Sequence, residues 1–276
     1  MKTFIKWPGN KSKYLKYIIS ELPKEYNNYI EPFLGSGALF LHLCPQKAII
    51  NDLNTDLINI WKLIKDDIHF IVHLFQRFKK IFVPMDYKKK LIFCRKITNG
   101  FNFSKSNKYK TVLMLLMTYC AYMGIVLIKN KYRFQGLEKK IFIDDKYYFL
   151  DDNYFDKLRE INLFLNNSNI KIYNKDYKKI LDVAKPNDFV FLDPPYLLET
   201  NDLGFNYNKF EKIDINFIKE LLMECQKLDE KGVKWLMTQT DSDDIKMLFK
   251  KYTITKFPVY RYFKQEYCNE LLIKNY

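Results

Sequence analysis

The chain has 276 residues, a formal net charge of +14 and 48% hydrophobic residues. That length buries enough apolar surface for a sizeable α/β core and a smaller lobe, with no need of disulfides or structural metals. The five cysteines, Cys44, Cys94, Cys120, Cys225 and Cys268, form no C-x-x-C pair, which excludes a zinc ribbon and a secreted disulfide framework and leaves reduced thiols as the expectation.

In chain order, Asn28 to Leu34 reads as a strand that enters the Gly35-Ser36-Gly37 turn and a helix from Ala38. Lys47 to Asp52 reads as a second strand ending in an acid, with a helical pattern from Thr55. The βα rhythm is then lost. Residues 77 to 140 hold sixteen Lys or Arg against two acids, Asp86 and Glu138, so this segment carries the whole net charge. It looks helical, with a hairpin or loop from Lys129 to Gly136, and its interleaved aromatics suit either a polyanion-binding lobe or a solvated lysine-rich face. Within it, Thr111 to Ile128 is apolar enough to raise a membrane span. Thr111, Thr118, Tyr119, Cys120 and Tyr122 interrupt it, and Gly124 is the expected stop, so a buried helix is favoured.

The rhythm returns with strands at Ile170 to Tyr173 and Asp188 to Asp193, a helix at Asp214 to Glu230, a strand at Val233 to Thr238 and a last strand within Tyr267 to Lys274. Asn166 to Asn169 reads as a surface turn. This order predicts an α/β fold: a doubly wound, mostly parallel sheet of Rossmann-like type with an inserted, mainly helical lobe. The expected division is 1–60 with 161–276 for the sheet domain and 61–160 for the insertion.

Asp193-Pro194-Pro195-Tyr196 follows a buried apolar strand, where open α/β sheets bind ligands. The prolines stiffen the backbone, so one carboxylate, one aimed carbonyl and one ring are presented together. Such a loop suits a planar base with an exocyclic amine. The lone pair of that nitrogen is conjugated with the ring. Accepting its two N–H groups at Asp193 and at the Pro194 carbonyl, with Tyr196 stacked on the base, favours a pyramidal nucleophile without a metal. A base inside a duplex does not reach such a loop, so flipping is implied. Alone, the tetrapeptide also fits a rigid turn. Gly35 and Gly37, however, supply a turn of little bulk at the sheet edge, and Asp52 ends the next strand where nucleotide-binding folds place a ribose-holding acid.

These motifs resemble the Dam-type (α-group, N6-adenine) DNA methyltransferases across residues 4–61 and 170–276. The resemblance identifies Lys6 to Lys11 with the family's Trp-x-Gly-Gly-Lys element, Glu31 to Phe40 with its cofactor loop, Asn51-Asp52 with its ribose acid and Asp193 to Tyr196 with its catalytic tetrapeptide. It implies S-adenosyl-L-methionine as cofactor, contacted by Trp7, Lys11, Phe33, Gly35, Gly37, Asp52, Asp193, Asp176 and Tyr177. It also implies double-stranded DNA as partner, with a restriction endonuclease as a further partner, and an intracellular location in a prokaryotic cytoplasm or a virus-infected host. The N-terminus, which lacks a secretory apolar run, agrees with that location. Asn269 to Asn275 is similar to the family's final strand.

Two departures stand out. Asn10 replaces the second glycine of the N-terminal element, and Lys131-Tyr-Arg-Phe-Gln-Gly136 replaces the usual Gly-Glu-Phe-Asn hairpin. Arg133 is the candidate base reader there, with pairing to Glu138 or a phosphate as the alternative, and Lys129 and Lys131 suit phosphates. His69 and His73, four apart, lack further ligands and are expected to be surface or packing residues. Lys88-Lys-Lys90 suits phosphate or water equally. Trp61 and Trp235 are expected in the core and Trp7 at the site. Two alternatives stay open: an inactive DNA-binding homologue, and a methyltransferase of cytosine N4 or of RNA.

Overall fold

The computed structural model of the protein describes residues 1–121, 127–128, 131–132, 147–196, 214–261 and 265–276. The strands are β1 (Tyr29–Glu31), β2 (Lys47–Asn51), β3 (Leu127–Ile128), β4 (Lys131–Tyr132), β5 (Asn169–Tyr173), β6 (Phe189–Leu192), β7 (Lys234–Thr240), β8 (Thr253–Arg261) and β9 (Glu266–Lys274). The α-helices are α1 (Leu15–Ile19), α2 (Ala38–Leu43), α3 (Thr55–Asp66), α4 (Ile68–Phe82), α5 (Tyr87–Phe103), α6 (Asn107–Cys120), α7 (Asp152–Asn167), α8 (Tyr177–Leu181), α9 (Ile215–Glu230) and α10 (Asp243–Leu248).

Seven strands form one sheet in the order β5-β2-β1-β6-β7-β9-β8. Pairing is parallel from β5 to β7 and antiparallel for β7–β9 and β8–β9. The mostly parallel, Rossmann-like sheet expected from the sequence is thus present. Its strands alternate between two apolar layers, as the period of two in a sheet buried on both faces requires. Tyr29, Phe189, Phe191, Leu236 and Leu272 enter one core with Phe40 and Trp61; Ile30, Val190, Leu192, Trp235, Met237 and Leu271 enter the other with Ile180, Leu221 and Phe249. Trp61 and Trp235 are both fully buried.

Several boundaries differ from the expectation, each for a local reason. The strand expected over Asn28 to Leu34 ends at Glu31, because Pro32 has no N–H for the ladder and the Leu34 N–H turns to the Asn51 carbonyl at 2.8 Å. The apolar run from Thr111 does not continue as helix toward Gly124. Helix α6 begins earlier, capped by Ser106, and ends at Cys120, where Ala121 is already extended. All ten residues from Thr111 to Cys120 are buried, as a helix apolar on every side must be. Among the described residues no helix is long and apolar enough to cross a membrane. Gly124 lies outside the described residues. Residues 127–128 and 131–132 pair as an antiparallel ribbon whose first strand precedes the hairpin or loop expected from Lys129 to Gly136.

The middle helices are tied to the sheet domain. Helix α3 packs on both α6 and α7, and the Tyr119 and Tyr154 hydroxyls both donate to the Phe4 carbonyl, the latter at 2.9 Å. The expected divisions after residues 60 and 160 fall inside α3 and α7.

Candidate active site

The strand order reverses between β1, which β2 neighbours on one side, and β6 on the other. A cleft at the carboxyl ends of these strands is the usual ligand position in such sheets. Glu31 ends β1, Asp52 follows β2, and Asp193 follows β6.

Lys11, on a short 3-10 turn after Asn10, is 8% exposed, and its Nζ lies 2.8 Å from Asp193 Oδ1. Asn10 accepts the Ser12 N–H at 2.8 Å and so starts that turn, a task for which its amide replaces the family's glycine. Lys11 also donates to the Gly9 carbonyl at 3.2 Å and stands 4.8 Å from the centroid of the Tyr196 ring. Burial alone lowers the pKa of an ammonium, but Asp193 and Glu270 outweigh it here and hold Lys11 above its ordinary value. Thr238 on β7 donates to Asp193 Oδ1 at 2.5 Å. Among the described residues, both of these partners fall on Oδ1. Tyr196 donates its hydroxyl to Glu270 Oε2 at 2.8 Å. Pro194 is buried behind the loop, with Pro195 half-buried.

Asp52 organises the opposite wall. Its Oδ2 accepts the Gly35 N–H and its Oδ1 the Asn54 N–H, both at 2.9 Å. Burial raises its pKa, partly offset by those N–H groups. Gly35 adopts φ +50°, and its Cα faces the Trp7 ring, which brings the N-terminal element onto the turn. Gly37, at φ +62°, faces elsewhere: a Cβ there would meet the Trp61 ring at 2.6 Å, so core packing requires this glycine. Phe33 packs on Tyr177 with ring centroids 5.1 Å apart. The Tyr177 hydroxyl is buried and has no hydrogen-bond partner among the described residues. Asp176 is exposed and caps α8 through the Lys178 N–H at 2.8 Å.

Sequence reasoning missed Glu31, Thr238, Glu270 and Asn51 as individual site residues. Glu31 is 2% exposed and accepts the Tyr29 hydroxyl at 2.8 Å. Burial pushes its carboxyl well above the ordinary range; the Tyr29 hydroxyl opposes this, while the charges of Asp193 and Asp52 add to it. Asn51 joins the strand ends by donating to the Pro32 and Lys175 carbonyls at 2.9 and 3.0 Å. The signal for these residues was a polar side chain inside an apolar strand, as in Glu270-Leu-Leu-Ile. His69 and His73 are both exposed on α4, and among the described residues no group of three or more His, Cys, Asp or Glu is arranged to hold a metal. Arg133 and Lys129 lie outside the described residues, as does the side chain of Lys131.

The sequence model of the D12 class N6 adenine-specific DNA methyltransferases matches residues 7–261. The chain belongs to this family. As a D12 methyltransferase it acts on DNA adenine and takes its methyl group from a donor. It is 29% identical over 265 residues to the type II methyltransferase M1.LlaDCHI of Lactococcus lactis subsp. cremoris, covering 95% of this chain and 89% of that one. It is 28% identical to the type II methyltransferase M.MjaIII of Methanocaldococcus jannaschii, over 100% of this chain and 99% of the relative. A DNA adenine methylase of Haemophilus influenzae is 26% identical over 87% of this chain and 80% of its own length.

Proposed function

We propose that this D12 methyltransferase moves a methyl group from S-adenosylmethionine to N6 of an adenine flipped out of double-stranded DNA at a defined sequence. The observation that carries the reading is the meeting of Lys11, Asp193 and Tyr196 at the end of β6, on the same cleft as Asp52. S-adenosylmethionine supplies an electrophilic methyl on a positively charged sulfur.

The residues fit such a donor in three respects. Asp52 keeps acceptor capacity on each oxygen for ribose hydroxyls. The Asp52 and Asp193 carboxyl groups outnumber the Lys11 ammonium, a balance that suits a cation. The buried Tyr177 hydroxyl, beside Phe33, lacks a partner among the described residues, and a polar ligand atom would provide one.

On the adenine, Asp193 Oδ2 and the Pro194 carbonyl accept the two amine N–H groups, and Tyr196 stacks on the ring. The lone pair is thereby turned toward the methyl group. Lys11 and Thr238 fix the other carboxylate oxygen, so the acceptor is aimed before the base arrives. Residues 61–160 serve as the target-recognition lobe against a catalytic domain of 1–60 and 161–276, with Arg133 reading a guanine and Lys129 and Lys131 on phosphates. The type II names of two relatives support a paired restriction endonuclease, and the reaction belongs inside a cell.

Tritiated S-adenosylmethionine with randomised duplex DNA, followed by nucleoside analysis, tests the reading. N6-methyladenine in a defined context is the expected product; label on cytosine, on RNA only, or on nothing overturns it. Arg133→Ala should relax the profile at one guanine by about 1–3 kcal/mol.

A further inference from the structure

We infer that Glu270 is the positioning residue that aims the Tyr196 ring at the target base. The inference rests on the reading above, in which Tyr196 stacks on adenine.

After Pro194 and Pro195 the backbone has left the sheet, so the direction of the Tyr196 ring depends on what holds its far end. Its hydroxyl lies 2.8 Å from Glu270 Oε2. An ionised carboxylate only accepts, so the tyrosine is the donor. Glu270 is on β9, in register with Thr240 of β7. Asp193 is tied to the same strand pair by Thr238, which donates to its Oδ1 at 2.5 Å. The two working groups of the tetrapeptide are therefore both referenced to β7 and β9: the acceptor through Thr238, the ring through Glu270 and, also at its hydroxyl, Thr238. Lys11 lies between them, 2.8 Å from Asp193 and 4.8 Å from the ring centroid. A ring tethered at both ends presents one face in one orientation, whereas an untethered ring samples several about its two side-chain torsions. Glu270 acts through Tyr196 and does not touch the reacting nitrogen.

The test uses the full-length enzyme and steady-state methyl transfer on the mapped DNA site, with Tyr196→Phe, Glu270→Ala, Glu270→Gln and the double variant Y196F/E270A. Loss of one charge-assisted hydrogen bond corresponds to about tenfold in rate, so E270A and Y196F should each lower kcat by about that factor. KM for S-adenosylmethionine should stay unchanged. Because both variants break the same tether, the double variant should be no slower than either single one. Glu270→Gln, which keeps an acceptor oxygen, should recover most of the rate. Multiplicative losses, a wild-type rate for E270A, a loss expressed in donor KM, or an E270Q as slow as E270A would each overturn the inference. If E270A does not fold, the same cycle is run with Y196F and E270Q, both isosteric; Y196F at the wild-type rate then overturns it. Wild-type enzyme that fails to methylate adenine from this donor removes the underlying reading instead, and the inference falls with it.

Discussion

Charge is treated in opposite ways by the cleft and by helices α4 to α6. In the cleft, Lys11 and Glu31 are buried and Asp193 is shielded, and each is held by named partners at hydrogen-bonding distance. On the helices, Arg77, Lys79, Lys80, Lys88, Lys89, Arg95, Lys96 and Lys108 are exposed, Lys89 and Lys108 in surface ion pairs with Asp86 and Asp67. Buried polar groups act strongly on one atom and depend on the partner that holds them. Exposed ones act weakly, additively and under salt screening. A variant in the cleft should therefore lose chemistry or donor binding, and a variant on the helices should lose DNA affinity in a salt-dependent manner.

The strongest test is Asp193→Ala. Removing the proposed acceptor of the amine proton should slow transfer by about two to three orders of magnitude, the usual worth of a pre-aimed electrostatic group. DNA binding, measured by fluorescence anisotropy, should remain within about twofold if the basic helices supply it, as proposed. A variant that still turns over normally places the chemistry elsewhere.

Asp52→Ala comes next. It removes two acceptors of backbone N–H groups as well as the proposed ribose contact, so both donor affinity and stability should fall. A lost charge-assisted hydrogen bond costs about 1.5–3 kcal/mol, or about ten- to a hundredfold in affinity by calorimetry. If only the melting temperature drops, Asp52 is a brace for the Gly35 turn and the α3 cap, and does not bind the donor.

Glu31→Gln sharpens the comparison from the side of stability. The folded pKa of Glu31 is raised from its ordinary 4.5, so the folded state holds this proton more tightly than the unfolded chain does. Its contribution is present below the unfolded value and is lost as pH rises through the folded one. Glutamine keeps an oxygen for the Tyr29 hydroxyl and carries no charge. The variant should melt above wild type at pH 8, with the gap closing as pH falls toward the ordinary value. A gap independent of pH would mean that the Glu31 carboxyl titrates alike in the folded and unfolded chain.

The same contrast governs what was legible in the sequence. Asp193 and Asp52 stood out because each follows a strand in a motif whose residue types the chemistry dictates, and Lys11 through the resemblance of its segment to the family's N-terminal element. Thr238 and Glu270 did not, because their nearness to Asp193 and Tyr196 depends on register across β6, β7 and β9, which is set by pairing between distant segments. Strand β8 escaped notice for a different reason. Pro258 and Lys256 break its apolar pattern, as befits an edge strand. Gly37 was read as part of the cofactor turn, but the Trp61 ring that meets it comes from the next helix and leaves no trace in the motif.

The smallest expected effect separates two neighbours that the sequence treats alike. Lys88-Lys-Lys90 is one basic run, yet on α5 Lys88 and Lys89 are exposed while Lys90 is 4% exposed. Lys90 donates to the Tyr147 hydroxyl and lies 5.1 Å from that ring's centroid and 5.8 Å from Phe82. Lys88 is placed to meet a phosphate. If it does, Lys88→Ala releases one counterion fewer and lowers the slope of log K against log salt by about 0.9, which amounts to about a threefold loss of affinity at low salt and an unchanged melting temperature. Lys90→Ala should do the reverse, lowering the melting temperature through lost packing and leaving the slope alone. Binding titrations at four salt concentrations, with thermal unfolding alongside, read both. Equal slopes for wild type and Lys88→Ala would show that Lys88 only faces water, and the DNA path would then have to be sought on α4, through Arg77, Lys79 and Lys80.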